Sequence, residues 1–263
     1  RGYRPKQACE FSAERAQNSR NANTVAPWVK DEVNALLGVQ WSPEQIASQL
    51  PISHETVYQH VYADKAQGGA LWKNLRCQKQ KRKRYAGGRD RRGQIPNRRP
   101  LSERPLQIEA RKQVGHWECD TVIGVNHKGA VVTMVERKSG YGVIAKVTNK
   151  TSELVSSAIV DKLKPMAVRV KTLTFDNGKE FAAHAHIDAQ LQSTTYFARP
   201  FASWERGSNE NFNGLLRQYI PKKRSMSTVS DEEIKMIQNR LNNRPRKRLG
   251  FKTPAEVFHQ SLK

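Results

Sequence analysis

Asp120 and Asp176 sit at the ends of apolar, strand-like runs, and Glu210 follows on a helical segment after thirty-three intervening residues. A carboxylate at the end of a buried strand loses solvation and is tolerated mainly where something cationic compensates it. Mg²⁺ takes carboxylate, water and phosphate oxygens in near-octahedral geometry, so three such carboxylates suit a pair of these ions. Two ions roughly 3.5 to 4 Å apart activate a water or a 3′-hydroxyl and stabilise the departing oxygen of an in-line displacement, without a covalent protein nucleophile. The expectation is therefore that Asp120, Asp176 and Glu210 are both catalytic and metal-binding, with two Mg²⁺ as cofactor and Mn²⁺ as a substitute.

The elements around them are legible. Period-two alternation from Gly115 to Gly124 puts Trp117, Cys119 and Ile123 on one face of a strand and Glu118 and Asp120 on the other. Asp176 ends Leu173-Thr174-Phe175 and precedes a turn, Asn177 to Phe181, that leads into a helix. At about 100° per residue Glu210 shares a helix face with Asn213, Gly214 and Arg217, while Phe212, Leu215, Leu216 and Tyr219 lie opposite. An ordinary amphipathic surface helix explains that apolar stripe equally well, but not the matching aspartates.

The 263 residues carry 46 Lys and Arg against 24 acids, a net charge of +22. Such an excess is self-repulsive unless a polyanion neutralises it, so nucleic acid is the first partner to consider. No run approaches the roughly 18 apolar residues of a spanning helix, and no signal pattern opens the chain; a soluble, cytoplasmic protein without membrane partners is expected, associated with the nucleoid when bound. Cys9, Cys77 and Cys119 are too few and too scattered for a disulfide framework or a zinc finger. The first residue is Arg1 rather than Met, which suggests a natural N-terminus upstream.

Residues 1–68 are expected to form a DNA-binding region with a core at about 27–64. Pro27 starts one helix, which Gly38 stops as a glycine cap; Ser42 with Gln45 forms a capping box for a second; Ser53 caps a third, with Val57, Tyr58, Val61 and Tyr62 as core stripe and His54, Glu55, Gln59 and His60 exposed. Three short helices suit either a structural bundle or a helix-turn-helix, and the neighbouring charge favours DNA, with His54 and Gln59 as contacts. Residues 69–112 read as a basic linker containing Gly and Pro: from Arg76 to Lys112 the net charge is +11, densest at Lys81, Arg82, Lys83 and Arg84, and each phosphate neutralised there releases counterions.

Residues 113–225 read as an α/β catalytic core. Strand-like runs at 116–125, 130–138 and 141–148 are followed by a helix capped by Thr151, a strand at 170–175, a helix from Lys179, a short strand near Tyr196 and the Glu210 helix, which together make a mixed sheet flanked by helices. Residues 226–263 form a helical, basic extension on which Ile234, Ile237 and Leu241 close the core. Lys179, Lys222, Lys223, Arg224, Arg244, Arg246, Lys247 and Arg248 are candidates for the DNA path, and Trp204 for stacking on an unpaired base or for the core. His184 and His186 are two apart on a helix and make a poor metal pair. His116 can simply hydrogen-bond within the fold.

Gly115-His116-Trp117-Glu118 with Asp120, Phe175 to Phe181, Trp204 to Asn211 with Asn213 to Tyr219, and Leu241 to Lys247 resemble bacterial transposases of the insertion-sequence-thirty family. The resemblance covers roughly residues 27–258. It implies an RNase H-like fold with a five-stranded mixed sheet, plus a small all-α helix-turn-helix domain, and a DDE triad that falls on Asp120, Asp176 and Glu210. Arg217 falls on the basic residue that its members carry seven positions after the glutamate, Asn213 and Arg217 are candidate DNA contacts, and Glu118 and Glu180 fall outside the triad. The implied activity is metal-dependent 3′-strand cleavage at transposon ends and strand transfer into target DNA. The implied partners are terminal repeats and target DNA, with a homodimer or higher oligomer on paired ends. Two other readings use the same residues: a truncated transposase that regulates by binding, and a metal-dependent nuclease without strand transfer.

Overall fold

The computed structural model describes residue 11 and residues 25–76, 95–125, 129–199 and 203–260, and the chain divides into two compact units, Arg1–Lys79 and Gln80–Lys263. The first holds α1 (Pro27–Gly38), α2 (Pro43–Ala47) and α3 (His54–Ala66) around Val29, Val33, Leu37, Ile46, Val57 and Val61. The capping box forms as expected: Gln45 N–H donates to Ser42 Oγ (3.4 Å) and Ser42 N–H to Gln45 Oε1 (2.9 Å), while Ser53 Oγ accepts from Thr56 N–H. Each such cap contributes about 1 kcal/mol.

Three details differ from the sequence reading. Gly38 is the last helical residue of α1, and the left-handed conformation falls two residues later on Gln40 (φ 65°). Tyr58 and Tyr62 lie one residue, about 100°, around α3 from the buried Val57 and Val61. They stack on each other at 6.2 Å on the rim, with Tyr62 58% exposed. His60 is half-buried and bonded to Asn34 Oδ1 at 2.8 Å, which ties α3 to α1. The unit also continues past residue 68: Leu71, Trp72 and Leu75 pack on its core, and Lys65 Nζ lies 4.4 Å over the Trp72 ring.

The second unit is built on β1 (His116–Ile123), β2 (Ala130–Glu136), β3 (Gly142–Val147), β4 (Thr172–Phe175) and β5 (Thr194–Phe197), in the order β3-β2-β1-β4-β5. The first three strands form the expected antiparallel meander, and β4 and β5 add in parallel to β1. This is the mixed five-stranded sheet of the RNase H-like class. Every residue of β2 is buried, which accounts for its mostly apolar sequence: a strand covered on both faces has no solvent side, and its polar residues Thr133 and Glu136 are hydrogen-bonded within the fold.

Helices cover both faces, giving three layers. On one side Trp117, Cys119, Val132, Met134 and Phe175 meet α4 (Ser152–Leu163) and α5 (His184–Leu191). On the other Val122, Val131, Val135 and Ile144 meet α6 (Gly207–Tyr219) and α7 (Asp231–Asn242). A Cβ at Gly142 would come within 2.1 Å of the Phe212 ring, so this glycine sets how closely α6 approaches β3. Gln238 and Asn242 of α7 hydrogen-bond the β3 backbone at Ile144 and Gly142, so the edge strand is covered rather than left open. A final helix, α8 (Pro254–Gln260), stacks Phe258 on Tyr141 at 4.4 Å and sets it edge-on to Trp117.

Residues 95–112, expected as linker, are part of this unit. Ile95 and Ile108 are buried, Pro100 bridges to Phe197, and Arg104 is 6% exposed and bonds Thr174 Oγ1 at 2.9 Å. Arg104 and Arg137 both pair with Glu109, and burial beside Arg137 lowers the Arg104 pKa to about 10. The basic count over this stretch conceals a side chain, Arg104, that serves the fold. The densest block, Lys81 to Arg84, lies outside the described residues.

His116 is buried at the junction of β1 and β4, where its Nδ1 lies 2.9 Å from Thr172 Oγ1. Burial, then Lys171 and Arg137, lower its pKa from 6.5 to about 4. Between those values the unfolded chain binds the proton and the native state does not, so stability falls as pH drops through the window. The expected loss is about 2 to 3 kcal/mol in denaturant titrations between pH 7 and pH 4, and His116→Gln should flatten that part of the profile.

Candidate active site

Glu118 and Asp120 project from the same face of β1 toward α6, as the alternation requires. They have opposite surroundings. Glu118, fully buried, accepts from Arg137 Nε at 3.0 Å and from the Asn209 backbone N–H at 3.0 Å. Its charge is thus compensated within the fold, and it anchors the first turn of α6. Glu180 is equally committed: it accepts from Thr121 Oγ1 (2.9 Å) and pairs with Lys150 Nζ (2.6 Å).

Asp120 is held but not neutralised. Thr121 N–H donates to its Oδ1 at 2.8 Å and Asn213 Nδ2 to its Oδ2 at 3.0 Å. Arg206 spans Asp120 and Asp176, with its two terminal nitrogens 3.4 Å from an oxygen of each. Burial pushes the Asp120 pKa up from the ordinary 3.8, Arg206 opposes this, and the nearby Asp176 adds to it. Asp176, directly after β4, is partly exposed and its Oδ1 accepts from Gly178 N–H at 2.8 Å. Two carboxylates that repel each other across one bridging cation form a seat for positive charge, and their oxygens are the hard donors that a divalent metal takes.

Glu210 is exposed and makes no hydrogen bond or ion pair among the described residues. No group of three or more His, Cys, Asp or Glu side chains among those residues is close enough together to hold a metal ion. Its position on the helix is nonetheless informative. Residues 206 and 213 both touch Asp120, and 210 lies between them at helical spacings of four and three, on the same face. Glu210 thus lies on the helix face that meets Asp120, although its side chain does not join the aspartates.

The candidate DNA contacts divide. His54 and Gln59 are exposed on α3, as are Lys179, Lys222 and Lys223 on the second unit. Asn213 and Arg217, expected toward DNA, are turned inward: Asn213 fixes Asp120 and lies 2.9 Å from Thr133 Oγ1, while Arg217 donates to the Ile123 carbonyl at 3.0 Å and its pKa is lowered by burial. Arg224 is clamped by Glu233 through two bonds of 2.5 and 2.7 Å, and Arg244 is buried against Gln218. Arg246 bonds the Leu241 carbonyl and lines a cavity of about 230 Å³ with Arg111, Arg248, Gly207 and Ser208. The Trp204 side chain lies outside the described residues. His184 is buried edge-on to Phe197 and His186 is exposed, so the two do face apart.

Sequence reasoning missed Arg206 and Asn209. Asn209 is fully buried, with Nδ2 donating to the Glu118 carbonyl at 2.9 Å, and it locks α6 to β1. The available signals were their spacings: Asn209 lies four before Asn213, and Arg206 four before Glu210.

No family model matches the chain. It is 42% identical over 254 residues to the transposase for insertion sequence element IS4351 of Bacteroides fragilis, a match covering 94% of this chain and 78% of that protein. It is 36% identical to the transposase for insertion sequence element IS1086 of Cupriavidus metallidurans, covering 99% of this chain and 81% of that protein, and 36% identical to transposase InsI for insertion sequence element IS30A of Escherichia coli, covering 86% and 63%. Among solved structures it is similar to the catalytic core domain of BIV integrase, at 22% identity and a TM-score of 0.43, over 57% of this chain and 96% of that one. With relatives this similar along most of both sequences, the chain belongs to the family of insertion-sequence transposases that includes the insertion-sequence-thirty enzymes.

Proposed function

We propose that this chain is a DNA transposase in which Asp120, Asp176 and Glu210 carry 3′-strand cleavage at the element's ends and transfer of that 3′-hydroxyl to target DNA. The observation that supports this most directly is the convergence of Asp120 and Asp176 on one shared cation, beneath a helix that carries Glu210 on the facing side. The three carboxylates would hold two divalent ions, Mg²⁺ with Mn²⁺ as substitute. Bound there, such ions neutralise phosphate charge and lower the pKa of an attacking water or hydroxyl.

The chain's own groups prepare the site. Thr121 N–H and Asn213 fix the two Asp120 oxygens, and Gly178 N–H fixes Asp176, so each carboxylate is held in one orientation. Arg206 keeps the pair together until other cations take its place. Lys179, exposed three residues after Asp176, supplies a mobile charge for the phosphate next to the reacting one. Arg111, Arg246 and Arg248 gather beside the first turn of α6, where the helix dipole also favours an anion. The three helices of the first unit, with His54 and Gln59 exposed on α3, would act as a helix-turn-helix that reads terminal repeats, and two ends handled together require at least a dimer on DNA.

The test is nicking and joining of duplexes that carry the element's own ends, with Mg²⁺ or Mn²⁺, in the wild-type chain and in Asp176→Asn. Loss of a ligand to ions that each contribute several kcal/mol should cut both reactions at least about a hundredfold. Specific binding with no metal-dependent cleavage in either protein would favour the regulator; cleavage without joining would favour the nuclease.

Asp120 offers a second check, which adds a stability readout. Its folded pKa lies above its unfolded one, so the native state binds the extra proton in between, and stability falls as pH rises through that window. Asp120→Asn should therefore abolish nicking while raising the melting temperature at pH 7, with the gain shrinking as pH is lowered toward 3.8. A melting temperature that drops at pH 7 would show that Asp120 serves the fold instead.

A further inference from the structure

Beyond the carboxylates, the most unusual surface of the second unit is a cavity of about 690 Å³ lined by Lys112, Lys138, Lys171, Lys252 and Arg169, with Gln113 and Gln260 between them. No Asp or Glu lines it among the described residues. Lys112, Lys171 and Lys252 are exposed, and Lys171 Nζ donates to Gln113 Oε1 at 3.3 Å. Five cations line one concavity whose walls carry no acid, which raises its potential, although Glu256 interacts with Lys252 from outside the lining and Arg169 donates to the Phe258 carbonyl at 2.8 Å. The lowered pKa of His116 just beneath, to which Lys171 contributes, registers the same field.

Four chain segments build the cavity, one of them Lys138 after β2, so it is a feature of the fold and not of one run. Residues 112–114 precede β1, residues 168–171 precede β4, and Lys252 precedes α8. It adjoins the arginine cavity beside α6. Arg248 of that cavity donates to the Lys138 carbonyl at 2.9 Å, and Arg246 N–H to the Lys252 carbonyl at 3.0 Å. The two hollows are neighbouring stations on one basic surface.

We propose that this lysine cavity seats the phosphate backbone of duplex DNA at a distance from the reacting phosphodiester. Lys171 and Asp176 stand at opposite ends of β4, five residues or about 17 Å apart. At about 3.4 Å of duplex axis per nucleotide of one strand, that distance corresponds to roughly five base pairs. The cavity would therefore hold DNA that flanks the cut and adds affinity without sequence preference, since lysine acts on phosphate as a point charge.

The proposal rests on the transposase reading, and the experiment keeps the two separable because it needs neither metal nor cleavage. Affinity for a duplex is measured against salt concentration for the full chain, for Lys112→Gln/Lys171→Gln/Lys252→Gln, and for a control with three other exposed lysines changed, Lys162→Gln/Lys164→Gln/Lys235→Gln. Three lost phosphate contacts should reduce the slope of log K against log salt by about 2.7 and weaken binding at least about tenfold at low salt. The control should keep the wild-type slope, and Lys→Arg at the three cavity positions should restore it. An unchanged slope in the cavity variant, or an equal fall in the control, would overturn the cavity site while leaving the transposase reading intact. Failure of the wild-type chain to bind any duplex would overturn both.

Discussion

A row of carboxylates buried on one face of a central strand is the constraint on which this structure depends. Glu118 and Asp120 are two residues apart on β1 and face the same helix, yet one is balanced and the other is not. Glu118 receives a guanidinium and a backbone N–H at 3.0 Å each. Asp120 receives an amide, a backbone N–H and a guanidinium held 3.4 Å away that it must share with Asp176. A buried charge compensated fully is structural; one compensated partly is poised to take a cation.

That row also dictates how α6 docks. Its apolar stripe of Phe212, Leu215 and Leu216 provides adhesion, but an apolar contact does not specify register. Asn209 on Glu118, Asn213 on Asp120 and Arg217 on the Ile123 carbonyl do, because a slip of the helix would leave these donors unpaired. With register fixed at three successive turns, residues 206 and 210 can only face the aspartates. Gly142 sets the remaining freedom, the depth at which the helix lies.

Much of this was legible in the sequence because it follows from periodicity. Alternation in β1 sorted Trp117 and Cys119 from Glu118 and Asp120, Val-rich runs between turn signals marked the first three strands, and Ser42, Ser53 and Thr151 marked helix starts. What failed shares one cause: charge and polarity say little about direction. Arg104, Arg137 and Arg244 count toward a net charge of +22 but are buried partners of the fold, and Asn213 and Arg217 lie on the polar face of α6 yet point to β1. Tyr58 and Tyr62 missed the core of the first unit by one residue of helical phase, a shift that a short helix with two buried valines leaves undetermined. The pairing of Arg206 with both aspartates joins segments 30 and 86 residues apart, and no local pattern encodes it.

Arg206 also clarifies why Glu210 stands apart. The two are one helical turn from each other at the start of α6, so the group that bridges the aspartates and the carboxylate on the same helix face approach from the same side. While the guanidinium lies between Asp120 and Asp176, positive charge there is already supplied, and drawing in a third carboxylate would add repulsion and desolvation for a single, shared +1. A cation of higher charge changes that balance, since it can repay the burial of a third carboxylate where a guanidinium cannot. The exposed Glu210 and the bridging Arg206 are therefore two parts of one electrostatic arrangement, set by how much positive charge the seat between the aspartates holds.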